Sequence, residues 1–200
     1  MEERYLIIAD DFTGANDTGV QLKRRGYPTE VLFAGKPVDS QKSIVIDTES
    51  RNALPGHAYE IVRHSLEQVD FGQFRYIIKK VDSTMRGNIA QEIKAVDEAF
   101  CPELVVFAPA LPALGRTTMD GVQCLNGVEI CKTELSKDPK NPVMEDNLVK
   151  LLEQVAQDER HREEQDAFPD AALGHEQGLF LLRLCRCGHS VSSLKNAGIS

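Results

Sequence analysis

"LIIADDFTGANDTG", residues 6–19, passes from an unbroken apolar run into two adjacent aspartates and then into small polar residues, with glycines at 14 and 19. A short apolar run without alternation, closed by turn residues, predicts a strand covered on both faces, as in a parallel sheet. The segment behind it, 14–26, carries Val20 and Leu22 and stops on Gly26, which predicts a helix. A strand feeding directly into a helix places the two carboxylates at the carboxyl end of that strand. Open α/β sheets gather their ligands there.

The same signal returns along the chain. Runs at 29–34, 43–48, 75–81 and 103–109 predict four more strands. Between them, 55–69 brings Ile61, Val62, Leu66 and Val69 near one helical face behind Pro55, and 88–100 spaces Ile89, Ile93, Val96 and Phe100 at helical intervals. Alternating strands and helices predict an α/β fold: an open, mostly parallel sheet with flanking helices. The rhythm changes after Pro109. Residues 119–135 predict a β-hairpin after the fifth strand, turning on Asn126-Gly127. A proline-punctuated loop at 138–143 leads to an amphipathic helix over 144–166 whose apolar stripe stops at Val155. The division expected is therefore an α/β domain over 1–155 and an irregular C-terminal tail over 156–200, loosely docked or poorly ordered, whose apolar patch has no evident partner.

Bulk properties narrow the function. The 200 residues carry a net charge of −8 and are 42% hydrophobic. That balance supports a real core and argues against a nucleic-acid binder, which needs basic surface. No apolar run has membrane-spanning length, and the N-terminus lacks a targeting pattern, so no membrane partner is expected. Five scattered cysteines suit a reducing, cytoplasmic setting. Cys185, Cys187 and His189 lack the usual ligand spacing, so no metal site is expected there. His57 and His64 read as surface residues of a helix.

The strand ends hold the chemistry. Strand one delivers Asp10, Asp11, Thr13 and Gly14; strand three delivers Asp47 to Arg51. Strand four delivers Lys79 to Thr84 and then Arg86, Gly87 and Asn88; strand five leads to Gly115, Arg116, Thr117 and Thr118. Arginine and lysine suit a carboxylate or phosphate, aspartate and hydroxyl side chains suit substrate hydroxyls, and an aspartate beside a hydroxyl can act as general base. A small acid rich in hydroxyls satisfies that set. Adjacent aspartates are expected to point apart, one of them capping the following helix. Lys79 and Lys80 alternate along a strand, so only one should face the site.

"IADDFTGANDTG", "DTESR", "KKVDSTMRGNI" and "PALPALGRTT", followed by "KTELSKDPKNPV", together resemble the N-terminal substrate-binding domain of the four-carbon acid sugar kinase family over about residues 4–155. The resemblance implies ATP-dependent phosphorylation of a compound such as threonate, erythronate or 3-oxo-tetronate, with ATP and Mg2+ as cofactors. It implies Asp11 as the residue activating a substrate hydroxyl, and Asp10, Arg51, Lys80, Val81, Asp82 and Ser83 lining the acid sugar. It also implies Arg86 and Arg116 as charge contacts to carboxylate or incoming phosphate. The chain departs from the family in length and shows no glycine-rich phosphate loop, so no nucleotide site is visible. The change near Val155 reads as truncation, alternative splicing or a shifted frame. The expectation is a substrate-binding half, inactive alone, with a small acid sugar as partner and a homo-oligomer left open. Two other classes fit parts of the pattern: a phosphoacceptor receiver-like module built on Asp47, and a non-catalytic acid-sugar sensor.

Overall fold

In the computed structural model the chain after Arg4 forms strand β1, Tyr5–Ala9, with Leu6, Ile7, Ile8 and Ala9 fully buried. Side chains alternate along a strand, so burial at every position requires a layer on each side. Helix α1, Phe12–Arg24, packs Ala15 and Leu22 against Ile7 and Ala9. Helices α2, Pro55–Leu66, and α3, Ile89–Phe100, bring Val62, Leu66, Ala95 and Val96 against Leu6 and Ile8 on the other face. The structure describes residues 3–36, 38, 41–102 and 104–155, and the backbone of 181–183.

Strands β2, Thr29–Phe33, β3, Ser43–Asp47, and β4, Tyr76–Lys80, join β1 in a parallel array ordered β2-β3-β1-β4. Ala9 stands opposite both Asp47 and Lys80, so three strands release their next residues at one level. That register builds the functional edge. Strand β5 is shorter than its apolar run suggested, Leu104–Val106, because its ladder partner is only three residues long.

After β5 the chain forms a second sheet of three antiparallel strands: β6, Arg116–Met119, β7, Val122–Leu125, and β8, Val128–Glu129. The Asn126-Gly127 turn stands where the sequence placed it, with positive φ at both residues. A second such turn at Asp120-Gly121 adds β6, which the hairpin reading missed. The expected strand up to residue 135 gives way to two short 3-10 turns, Ile130–Lys132 and Glu134–Lys137, where Ile130 is buried in a third core with Ile89, Ile93 and Val143.

Of the helix expected over 144–166, residues 156–166 lie outside the described residues, and the described part, 144–155, is corrected to α4, Leu148–Glu153. Asn147 caps it, its side chain accepting from the Lys150 amide, and residue 146 is instead held by β7 through the Gln123 amide. Within the expected tail, strand β9, Leu181–Arg183, lies between β4 and β5 and runs antiparallel to both. The remainder of the 156–200 expectation, with Cys185, Cys187 and His189, lies outside the described residues. Among the described residues no helix is long and apolar enough to cross a membrane.

Ile7 is fully buried between the sheet and α1. Ile7→Ala should therefore lower unfolding stability by about 2–5 kcal/mol. Urea denaturation measures this directly, and a loss near zero would show that the α1 layer does not close over β1.

Candidate functional site

Arg51 organises the carboxyl edge. Its Nε and Nη2 donate to the two oxygens of Asp10 at 2.7 and 3.0 Å, and its Nη1 and Nη2 donate to the two oxygens of Asp11 at 2.8 and 2.9 Å. One planar guanidinium thus receives two carboxylates in paired geometry. The expectation that the adjacent aspartates point apart is overturned, because a cation with five donors gives both a common target. Asp11 still caps α1: its Oδ1 accepts from the Gly14 amide at 3.0 Å. Asp10 is buried, whereas the Asp11 side chain keeps 23% of its exposure and is the one a ligand can reach. Burial alone would lower the Arg51 pKa, but hydrogen bonds and charge from Asp10 and then Asp11 raise it further above its usual value. This arginine stays charged.

The loop bearing Arg51 is pinned from outside. The Asn88 side chain donates to the carbonyls of Ser50, Arg51 and Ala53 at 3.0, 3.3 and 2.9 Å. Gly87 lies against it with φ at +97°; a Cβ there would stand 3.0 Å from Arg51 Cγ and 3.4 Å from Asp10 Oδ2. Glu49 and Met85 hold left-handed φ of 49 and 63° at the same edge. Such conformations cost free energy and persist where the surroundings enforce them, as they do at ligand sites.

Strand β4 adds the next charges. Lys79 turns to the α3 side, where its Nζ lies 2.8 Å from Glu92 Oε2. Lys80 turns to the α1 side, its stem near Gly14, and donates to the Val81 carbonyl at 2.6 Å. Burial pushes the Lys80 pKa down, against the opposing pull of Asp10 and Asp82. The Val81 side chain belongs to the third core, so only its backbone faces Lys80. Asp82 accepts from Arg86 Nε and Thr84 Oγ1, both at 2.6 Å; burial would raise its pKa, and these bonds hold it below the usual carboxylate range. Ser83 is buried, and its carbonyl accepts from Gln123 Nε2 at 3.0 Å. Arg116 opens β6, its Nε buried without a hydrogen-bond partner among the described residues. The 138–141 segment closes the far side: Asn141 Nδ2 donates to Asn52 Oδ1 at 2.7 Å, and Arg86 helps to stabilise the Asp138 carboxylate after the amides of Asn141 and Lys140.

Asp47 is buried too deeply to meet a phosphodonor, and its Oδ2 has no hydrogen-bond partner among the described residues. The receiver-like reading depends on this residue. His57 and His64 are exposed. Among the described residues no three His, Cys, Asp or Glu side chains are grouped to hold a metal ion. Asp10 and Asp11 are engaged by Arg51 and Asp82 by Arg86, so these three carboxylates do not fit a Mg2+ site. Asn88 and Glu92 carry the site without having been assigned a role from sequence. Glu92 had a signal: it shares the buried face of α3 with Ile89, Ile93 and Val96.

The family described as "Sugar-binding N-terminal domain" matches residues 5–176. The chain belongs to that family. It is 40% identical over 152 residues to the D-threonate kinase of Salmonella typhimurium, covering 74% of this chain and 36% of that protein. It is 37% identical over 145 residues to the D-erythronate kinase of Heliobacterium modesticaldum, covering 69% and 33%, and 33% identical over 162 residues to the 3-oxo-tetronate kinase of Brucella melitensis, covering 75% and 36%. The match therefore spans about a third of the length of these relatives. Among solved structures, a domain of unknown function from Bordetella bronchiseptica, a domain-swapped dimer with bound citrate, superposes with a TM-score of 0.65 at 31% identity, covering 76% of this chain and 41% of that one.

Burial raises the Asp47 pKa from 3.8 to about 6; the Glu49 amide opposes this, and the charges of Glu49 and Asp11 add to it. Between those values the unfolded chain has released a proton that the folded chain keeps, so this group's contribution to stability falls as pH rises through the window. Asp47→Asn should exceed the parent in stability by about 1–3 kcal/mol at neutral pH and lose that advantage below the window. Urea unfolding at both pH values checks this; an advantage independent of pH would contradict it.

Proposed function

We propose that this chain is the acid-sugar-binding part of a four-carbon acid sugar kinase, with residues 1–155 as the substrate domain, 156–200 as an atypical segment that lends β9 to its sheet, and ATP with Mg2+ held outside the described residues. The observation that carries the reading is the Arg51 clasp, which fixes the Asp11 carboxylate at an open sheet edge. Asp11 Oδ2 takes its hydrogen bond from Arg51 Nη1 and keeps lone-pair capacity for a substrate hydroxyl. In the reaction proposed for the whole kinase, Asp11 orients that hydroxyl and accepts its proton as the oxygen bonds to the γ-phosphorus of ATP and the bond from that phosphorus to the ADP oxygen breaks.

A carboxylate on the substrate has partners nearby. Lys80 donates to a carbonyl and Arg116 Nε has no acceptor among the described residues, so both suit an incoming anion. Arg86, half-exposed, is the cation best placed to meet phosphate. The relatives named for D-threonate, D-erythronate and 3-oxo-tetronate support this substrate class. We place the chain in the cytoplasm, with a small acid sugar as its partner, no nucleic-acid or membrane partner, and a homo-oligomer left open; by itself it binds the acid and turns over no ATP.

Calorimetric titration of the purified chain with D-threonate, D-erythronate, 3-oxo-tetronate and ATP–Mg2+ tests this. Saturable binding of one acid without binding of ATP is expected. ATP-dependent turnover by the chain would overturn the division of labour, and a folded chain that binds none of the acids would overturn the substrate class. In a full-length relative, the equivalent of Asp11→Asn should lower kcat by about 100-fold or more. Folding should survive, because Asn caps a helix as well as Asp. Near-normal turnover would remove Asp11 from the chemistry.

A further inference from the structure

Behind the Arg51 clasp, four side chains closed to solvent connect four elements. Lys79 Nζ lies 2.8 Å from Glu92 Oε2 and donates to the Lys80 carbonyl at 2.8 Å. Glu92 Oε1 accepts from the Ser50 hydroxyl at 2.6 Å. Ser50 Oγ stands 2.8 Å from Thr48 Oγ1, which donates to the Ala9 carbonyl at 2.8 Å. Lys79, Glu92, Ser50 and Thr48 are 0, 1, 0 and 3% exposed.

Stability alone is a poor account of such a chain. Desolvating a lysine and a glutamate is expensive, and apolar side chains of similar volume frequently serve a core as well. The members share a different property. Each anchored point is the neighbour in sequence of a residue at the edge: Lys79 precedes Lys80, Ser50 precedes Arg51, and Ala9 precedes Asp10. Glu92 sits one turn beyond Asn88, and the Glu92 amide donates to the Asn88 carbonyl at 2.9 Å. The network therefore ties β4, α3, the 48–51 loop and β1 together directly behind the clasp. A site that must orient one hydroxyl among several loses function when its groups drift by an ångström.

We infer that the buried Lys79–Glu92 pair, acting through Ser50 and Thr48, is a positioning device that fixes Asp10, Arg51 and Lys80 relative to one another. What the edge binds rests on the acid-sugar reading; the geometry of the clasp does not. Lys79 and Glu92 touch no ligand and act through their neighbours.

The test uses the full chain with the paired replacement Lys79→Met and Glu92→Leu, which removes both charges at once and leaves neither stranded. Three quantities are read: the urea midpoint, proton exchange at Arg51 Nε–H by nuclear magnetic resonance, and affinity for D-threonate and D-erythronate. The expected result is a folded protein in which Arg51 Nε–H exchanges about tenfold faster or more and acid-sugar affinity falls on the order of tenfold or more. Unchanged Arg51 exchange in the folded variant overturns the inference, whether or not the parent binds an acid. Faster exchange in a chain whose parent binds neither acid supports the positioning role and counts against the substrate class alone. If the paired variant does not fold, Thr48→Val and Thr48→Ser decide: Ser keeps the hydroxyl and should keep slow exchange, Val should lose it, and equal rates in both overturn the inference.

Discussion

Two adjacent carboxylates turned to the same side of a sheet edge repel unless a cation stands between them or one takes up a proton. Arg51 is that cation, and its four hydrogen bonds to Asp10 and Asp11 set the terms for everything around it. The guanidinium must come from another strand, so the β3 loop has to curl back over β1. That curl brings Glu49 into a left-handed conformation, needs Asn88 to hold three carbonyls, and leaves no room for a side chain at Gly87. The strained and glycine positions of this edge follow from one electrostatic requirement.

The parallel register supplies the rest. Because Ala9 pairs with both Asp47 and Lys80, the polar residues that follow β1, β3 and β4 emerge together. Charge is then matched locally: Arg51 with Asp10 and Asp11, Arg86 with Asp82, Lys79 with Glu92. Lys80 stands apart, half-buried, bonded to a carbonyl, with its pKa pushed down by burial. Arg51 and Arg86 are thus held by carboxylates of the same edge, whereas Lys80 is held by a carbonyl.

Much of this was legible in the sequence. The unbroken apolar runs foretold a sheet buried on both faces, and the dense polar strand ends foretold a shared edge. The pairing across that edge was not legible, because it depends on which side chain of a loop turns inward; nothing in "DTESR" says that one arginine would take both aspartates. The hairpin reading turns on Asn126-Gly127 alone, and the structure adds a turn at Asp120-Gly121 and with it β6. The small stretch Leu181–Arg183 gains its place from ladder bonds to β4 and β5, a long-range pairing that local pattern cannot reveal. Glu92 was legible in principle, as a charge on an apolar helical face, but its partner Lys79 is distant in sequence.

The most direct test of the account is a crystal structure of the chain with D-threonate or D-erythronate bound. The account predicts the ligand at the carboxyl edge, one hydroxyl within hydrogen-bond distance of Asp11, its carboxylate on Lys80 or Arg116, and the Arg51 clasp intact. A ligand seated elsewhere, or one that displaces Asp11 from Arg51, would contradict it.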